Sequence, residues 1–472
     1  MALSVASFLA LPFLAPTSVS ADNREFQLNI TPDGGAFLKV FLPDASKASG
    51  RALLAIPGGG YAQTSIKNPS QWAPFYNARG MAYAVLRYRM PKGNREIPVS
   101  DAKAAMKMLR DSAAAWHINP ADIGIMGTSA GGHLASYAAT SFPMALRPNF
   151  QILFYPVITM GQQGSHRGSV ANFLGSDAKN EAVVKQYSTD QLVTESTPPA
   201  LILASSDDKA VPVLTNALPY YKAMLDHGCN ASLHIYPVGG HGWVFDTPFA
   251  YHDAMAEEVS SWLDNLSPGQ YNPLLFGKKI GFIGDSYVRN HKRPYTEAWH
   301  CLFAEKYNMD YINYGRNGSR VSMDSERFGE AMYKRYLGMP DSLDYVVVIA
   351  GHNDTDLLDS VGVKDFRKHT DELLKGLKKR NPGAKILWFS PWTVENYQGS
   401  NRQRVIKEIA AVCKKNKVPF FDAAADGTIK ADDADFRKKY FQSPGDHAHL
   451  NAAGHKLFLP VAEKFILDNI SK

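Results

Sequence analysis

Two serines in this chain stand where a nucleophile could be lifted clear of a sheet. Ser129 lies in Gly127-Thr128-Ser129-Ala130-Gly131, a G-x-S-x-G run whose glycines suit a strained turn that raises the hydroxyl. Ser286 closes Gly284-Asp285-Ser286, at the end of the apolar stretch "KIGFIGDS". A serine hydroxyl is a poor nucleophile at neutral pH; it needs an imidazole to take its proton and a carboxylate to orient that imidazole. For Ser129 the partners follow in the order acid, then histidine: Asp208 in "DDKAVP" and His241 in "GGHGW". Asp207 competes for the acid role, and the offset from Val211-Pro212 favours Asp208. A developing oxyanion needs preorganised N–H donors. "PGGGY", upstream of Ser129, offers the amides of Gly59 and Gly60, and Ala130 follows the nucleophile directly. His133 and His252 fall in helical stretches and read as structural, whereas His166 and Arg167 in "GSHRGSVANFLG" suit either a pocket wall or a surface loop.

Elements must hold these groups in place. In the first half "RALLAIPGGG", "MAYAVLRYRMP", "IGIMG", "QILFYPV" and "ALILASSDD" are short apolar runs ending in Gly, Pro or Asp, and they predict buried strands. Between them "SDAKAAMKMLRDSAAAWH" predicts a helix that Ser100 can cap, with Ala102, Ala105, Met106 and Leu109 on one apolar stripe. Strands alternating with helices imply a mainly parallel sheet covered on both faces. Pro268, Gly269 and Pro273 break the pattern, after which it restarts with "KIGFIGDS", "DYINYG", "LDYVVVIAG", "AKILWFSPW" and "VPFFDAAA". A chain of 472 residues exceeds what one core usually serves. We therefore expect two α/β domains, at 22–266 and 277–472, joined by a linker over 267–276. Residues 1–21, apolar and then small, read as an export signal that lacks the usual early Lys or Arg.

The bulk numbers exclude several classes. The composition, 45% hydrophobic and 20% charged, is that of an ordered globular protein. A net charge of +6 with Lys and Arg dispersed does not build a nucleic-acid surface, and no later segment has the run of about 18 apolar residues a membrane span needs. Cys229, Cys301 and Cys413 make no disulfide framework; free thiols, or at most a Cys301–Cys413 bridge, are expected. "DAAADGTIKADD" from Asp422 imitates a calcium loop, but Ala424 sits at a ligand position and Asp433 replaces the final Glu. The histidines show no zinc spacing, and the proposed chemistry needs neither metal nor cofactor.

The first half, with "GGG", "GTSAGGHLA", "DDKAVP" and "GGHGW", resembles the α/β-hydrolase superfamily, and within it the lipase/esterase and acetyl-xylan-esterase-like branches. It departs at Pro57, where many relatives place a His before the glycines, and it has no insertion long enough for a full lid. The second half has "GDS", then Gly318 in "NYGRNGSR", Asn353 in "AGHND", and Asp446 and His449 in "GDHAHLNAAGH". In that order they resemble the four sequence blocks of the SGNH (GDSL) hydrolases, a flavodoxin-like fold. That resemblance makes Ser286 a second nucleophile, His449 its base and Asp446 the orienting acid. It assigns the oxyanion to the Ser286 and Gly318 amides and the Asn353 side chain, with His352 and His447 in supporting roles. Together the two resemblances imply an exported serine esterase with two sites, removing O-acetyl groups from a polysaccharide of xylan or pectin type. A feruloyl or aryl esterase in the first half is the alternative, and a catalytically silent carbohydrate-binding domain is the alternative of another class.

Overall fold

The computed structural model describes residues 24–161, 164–243, 248–392 and 399–471; the expected export signal lies outside the described residues. Eight strands form the first sheet: Glu25–Asn29, Phe37–Phe41, Ala52–Ile56, Ala82–Arg87, Ile123–Thr128, Gln151–Phe154, Ala200–Ser205 and Ala231–Tyr236, here β1 to β8. Their order is β1-β2-β4-β3-β5-β6-β7-β8. From β4 to β8 every pairing is parallel, while β1 and β2 are added antiparallel at one edge. This is the α/β-hydrolase fold. The antiparallel edge was not anticipated, because "EFQLN" and "FLKVF" alternate apolar and polar residues and are only partly buried. The predicted strands are continuous apolar runs, as strands covered on both faces must be.

Burial follows the pleat. In β3, Leu54 and Ile56 enter the apolar cluster on one face and Leu53 and Ala55 the cluster on the other. The helix expected from Ser100 begins earlier, at Glu96, and ends at Asp111. Pro98 is tolerated in a first turn, so the helix need not wait for a cap. Ser100 is inside the helix and its hydroxyl donates to the Ile97 carbonyl. The stripe Ala102, Ala105, Met106 and Leu109 is buried as the spacing requires.

The second sheet has strands Lys279–Gly284, Asp310–Gly315, Tyr345–Ile349, Lys385–Phe389 and Phe420–Phe421, β9 to β13, all parallel in the order β10-β9-β11-β12-β13. That is the flavodoxin-like order, which places ligands beyond the carboxyl ends of β9 and β11 where the strand order reverses. Val347 and Ile349 of β11 face one apolar cluster and Val346 and Val348 the other.

The chain between the sheets is packed. Arg51 donates to the Leu266 carbonyl, Asn119 to that of Gly269, and Leu275 is fully buried in the second core. Asn308 donates from its side chain to the Met144 carbonyl at 2.9 Å, tying the two units together. All three cysteines are buried free thiols, so the Cys301–Cys413 bridge does not form. Asp422 and Asp433, in the calcium-like stretch, cap the helices Ala423–Asp426 and Ala434–Tyr440.

Two candidate active sites

Ser129 stands on the turn between β5 and the helix Ala130–Ser141 with φ +53°, a backbone strain that a serine tolerates only when its surroundings enforce it. They do so here: the Ser129 amide donates to the Phe154 carbonyl, and its own carbonyl accepts from His133 and Val157. The flanking glycines are steric necessities. A Cβ on Gly127 would lie 2.2 Å from the Gly131 carbonyl oxygen, and one on Gly131 would lie 2.1 Å from that of Ile56.

His241 and Asp208 arrive on the loops after β8 and β7. The Asp208 carboxylate can only accept, so the bond of 2.7 Å between its Oδ2 and His241 Nδ1 puts the imidazole proton on Nδ1. His241 Nε2 is then a free lone pair, 2.8 Å from Ser129 Oγ, which donates to it. Asp208 Oδ1 accepts from the Ala210 and Val211 amides at 2.9 and 2.8 Å, which fixes the carboxylate plane. Asp207 does something else: it accepts from the Gly239 and Gly240 amides, anchoring the loop that carries His241.

The loop Gly58–Gly60 faces Ser129 across an open cleft of about 740 Å³. With Pro57 in place of a histidine, the loop is held by other bonds. Tyr88 donates to the Pro57 carbonyl, the Gly58 amide to Thr128 Oγ1, and Asn172 to the Gly60 carbonyl. Among the described residues the Gly59, Gly60 and Ala130 amides have no protein acceptor, as an oxyanion-binding set requires. Tyr155, which the sequence reading passed over, packs edge-on to His241 at 4.8 Å and helps wall the cleft; its place directly after β6 was the available signal. His166 also lines the cleft, whereas Arg167 begins the next helix and is exposed. His133 is fully buried between the Tyr61 hydroxyl and the Tyr187 carbonyl, and burial pushes it down to about 4. His252 opens a helix beside Asp253.

The second constellation has the same logic on a different scaffold. Ser286 begins the short helix Ser286–Arg289 directly after β9, and Asp285 caps that helix. His449 Nδ1 bonds Asp446 Oδ2 at 3.0 Å, and Nε2 lies 2.8 Å from Ser286 Oγ. Asp446 Oδ1 accepts from the Ala448 and His449 amides. Burial works against the Asp446 charge, but the His449 hydrogen bond and these amides outweigh it and hold the carboxyl below its ordinary value.

Gly318 has φ +69°, and a Cβ there would lie 2.5 Å from the Phe328 ring. Asn353 donates a side-chain N–H to the Ser319 carbonyl at 3.1 Å. The Gly318 and Ser286 amides have no acceptor among the described residues.

Beneath this loop lies a buried network that the sequence did not reveal. Arg335 donates to Ser319 Oγ and to the Tyr314 and Gly284 carbonyls. Asp354 accepts from the Val321 and Ser322 amides. Burial pushes Asp354 up to about 6 and Asp285 up to about 7; Asp285 Oδ2 has no partner among the described residues. His352 accepts from Tyr287 and Arg402, and burial pushes it down to about 3. His447 and His352 are outside the relay, as their offsets suggested. His291 stacks flat on His449 with ring centroids 4.3 Å apart, a contact that no motif foretold. A recess of only about 10 Å³ lies behind Ser286, between Trp392, Phe389 and Phe458. That is barely room for a water.

Fold and sites together define a serine hydrolase of carboxylic esters, and comparison with known proteins agrees: residues 282–457 match the GDSL-like Lipase/Acylhydrolase family and residues 38–151 the BD-FAE family. The chain belongs to the same family as the acetylxylan esterase of Xylanibacter ruminicola, to which it is 37% identical over 381 residues, 78% of this chain and 77% of that protein. It is also 32% identical over 206 residues, 40% of its length, to endo-1,4-beta-xylanase B of Butyrivibrio fibrisolvens, matching 32% of that protein. Among solved structures, the acetyl ester-xyloside bifunctional hydrolase of Caldicellulosiruptor lactoaceticus is 30% identical, with a TM-score of 0.45 over 48% of this chain and 87% of that one.

Proposed function

We propose that this chain is a bifunctional carbohydrate esterase that removes O-acetyl groups from xylan or its fragments at two independent serine sites. The observation that carries the reading is the pair of complete relays: hydroxyl to imidazole 2.8 Å in each, imidazole to carboxylate 2.7 and 3.0 Å. Its substrate class is supported by the acetylxylan esterase relative.

In this mechanism Ser129 or Ser286 attacks the acetyl carbonyl as His241 or His449 takes its proton. The tetrahedral oxyanion is held by the Gly59, Gly60 and Ala130 amides at one site, and by the Ser286 and Gly318 amides with Asn353 at the other. The imidazolium, steadied by Asp208 or Asp446, protonates the departing sugar oxygen. Water then attacks the acetyl-enzyme, its proton passing to the same histidine, which returns it to the departing serine oxygen as the acyl bond breaks and acetic acid leaves. We place the catalytic units at 22–266 and 277–472, and propose that residues 1–21 direct export. The recess behind Ser286, barely large enough for a water, leaves no room on that side for a bulky acyl group. The wider cleft at Ser129, walled partly by Trp72, favours a second reading in which that site also takes feruloyl or other aryl esters.

The test is acetate release from acetylated xylan, and ferulate release from methyl ferulate, by the wild type, Ser129→Ala, Ser286→Ala and the double variant. Partial activity in each single variant and none in the double is the expected result. Complete loss in one single variant on every substrate would make the other unit a binding module.

A further inference from the structure

His166 sits at the mouth of the Ser129 cleft, and the fold determines what its ring can do. It caps the helix Arg167–Leu174, its Nδ1 accepting the Ser169 amide proton at 3.1 Å and lying 2.8 Å from the Ser169 hydroxyl. A ring nitrogen that accepts a backbone N–H carries no proton, so the neutral imidazole must hold its proton on Nε2. Among the described residues Nε2 has no partner. The ring tip is packed against the oxyanion loop: Cε1 lies 3.3 Å from where a Gly60 Cβ would be. Protonation of this ring is opposed first by its burial and then by His241, with Asp208 acting weakly the other way. His166 is therefore a neutral, oriented donor rather than a competing base.

An acetyl group offers one hydrogen-bonding atom, its carbonyl oxygen, and the three free amides already serve that. A further fixed donor in the same cleft has only the alcohol side of the ester left to meet. We infer that His166 determines specificity at the Ser129 site by donating its Nε2–H to a sugar hydroxyl or ring oxygen next to the acetylated position. This rests on the carbohydrate-ester reading above.

The test uses the full chain with Ser286→Ala to silence the other site, adding His166→Asn. Asparagine is as good an N-cap as the native residue needs, so the helix start is retained while the Nε2–H is lost; an unchanged melting temperature checks this. kcat and KM are measured on acetylated xylo-oligosaccharide and on phenyl acetate, whose alcohol side has no hydroxyl. The ratio of kcat/KM between the two should fall about tenfold, mostly through KM for the oligosaccharide. Equal losses on both substrates, or no change in the ratio, overturn the assignment. If the chain with native His166 cleaves phenyl acetate but releases no acetate from the oligosaccharide, the carbohydrate reading itself fails at this site.

Discussion

Replacing Asp208 by asparagine separates orientation of the histidine from mere occupancy of the site. In the native chain Asp208 Oδ1 accepts two backbone amides, of Ala210 and Val211, while Oδ2 accepts from His241 Nδ1. An asparagine side chain has one oxygen, and the two amides claim it. Its NH₂ then faces Nδ1, which must give up its proton, and the proton moves to Nε2. The histidine then points a donor at Ser129 and cannot take the serine proton. Flipping the side chain to restore the working tautomer would orphan two backbone N–H groups, at about 1–3 kcal/mol each. Since about 1.4 kcal/mol is a factor of ten, kcat/KM should fall by roughly 30-fold to 10⁴-fold. The assay is phenyl acetate hydrolysis at pH 7.5 in the Ser286→Ala background, alongside Asp207→Asn. Asp207 accepts from the Gly239 and Gly240 amides and makes no bond to His241 among the described residues, so its variant should lose less than about tenfold. Retention of near-native activity by Asp208→Asn, or an equal loss in Asp207→Asn, would refute the reasoning.

Gly318→Ala, measured in the Ser129→Ala background, should lower activity about 100-fold by displacing an oxyanion amide, because its Cβ meets the Phe328 ring at 2.5 Å. Adding Phe328→Ala should recover part of the loss, and no recovery would argue against the clash. Asp285 keeps its proton to about 7 when folded but ionises near its ordinary value of 3.8 when unfolded, so the unfolded chain binds fewer protons between those values and stability falls as pH rises through that window. Asp285→Asn removes that slope: its melting temperature relative to wild type should rise from pH 5 to pH 8, and a pH-independent difference would count against a proton held there. Asn308 has φ +53° and its side chain bonds the Met144 carbonyl, so Asn308→Ala should cost about 1–3 kcal/mol in calorimetry, with Asn308→Gly, which relieves the strain, costing less. Equal melting temperatures for all three chains would show that the contact between the units carries no stability.

Much of this protein was readable as a string. Strands buried on both faces must be continuous apolar runs, so β3, β5, β7, β9 and β11 announced themselves, and loops that end such strands are where reactive groups can be presented. The G-x-S-x-G glycines were legible for a similar reason: a Cβ at Gly127 or Gly131 would strike backbone a few residues away or on the neighbouring strand end. Asp208 was separable from Asp207 by its offset from Val211-Pro212, and it is Asp208 that reaches His241 Nδ1. The antiparallel pair β1 and β2 was missed because a half-exposed edge carries a weaker pattern.

What only the tertiary structure decided is what depends on distance between segments remote in sequence. Arg335 and Asp354 underpin the Gly318 loop through bonds that span 16 and 33 residues, and no local periodicity marks them. The flat stacking of His291 on His449 requires the packing of the first helix after β9 against a loop near the end of the chain. The tautomer of His166, undecided between pocket and surface in the sequence, is set by one backbone amide three residues on, and its exposure to the cleft by where Gly60 comes to rest. Residue type determines which chemistry is available; a proton's location and a donor's direction belong to the packed environment, because each is settled by partners that only folding supplies.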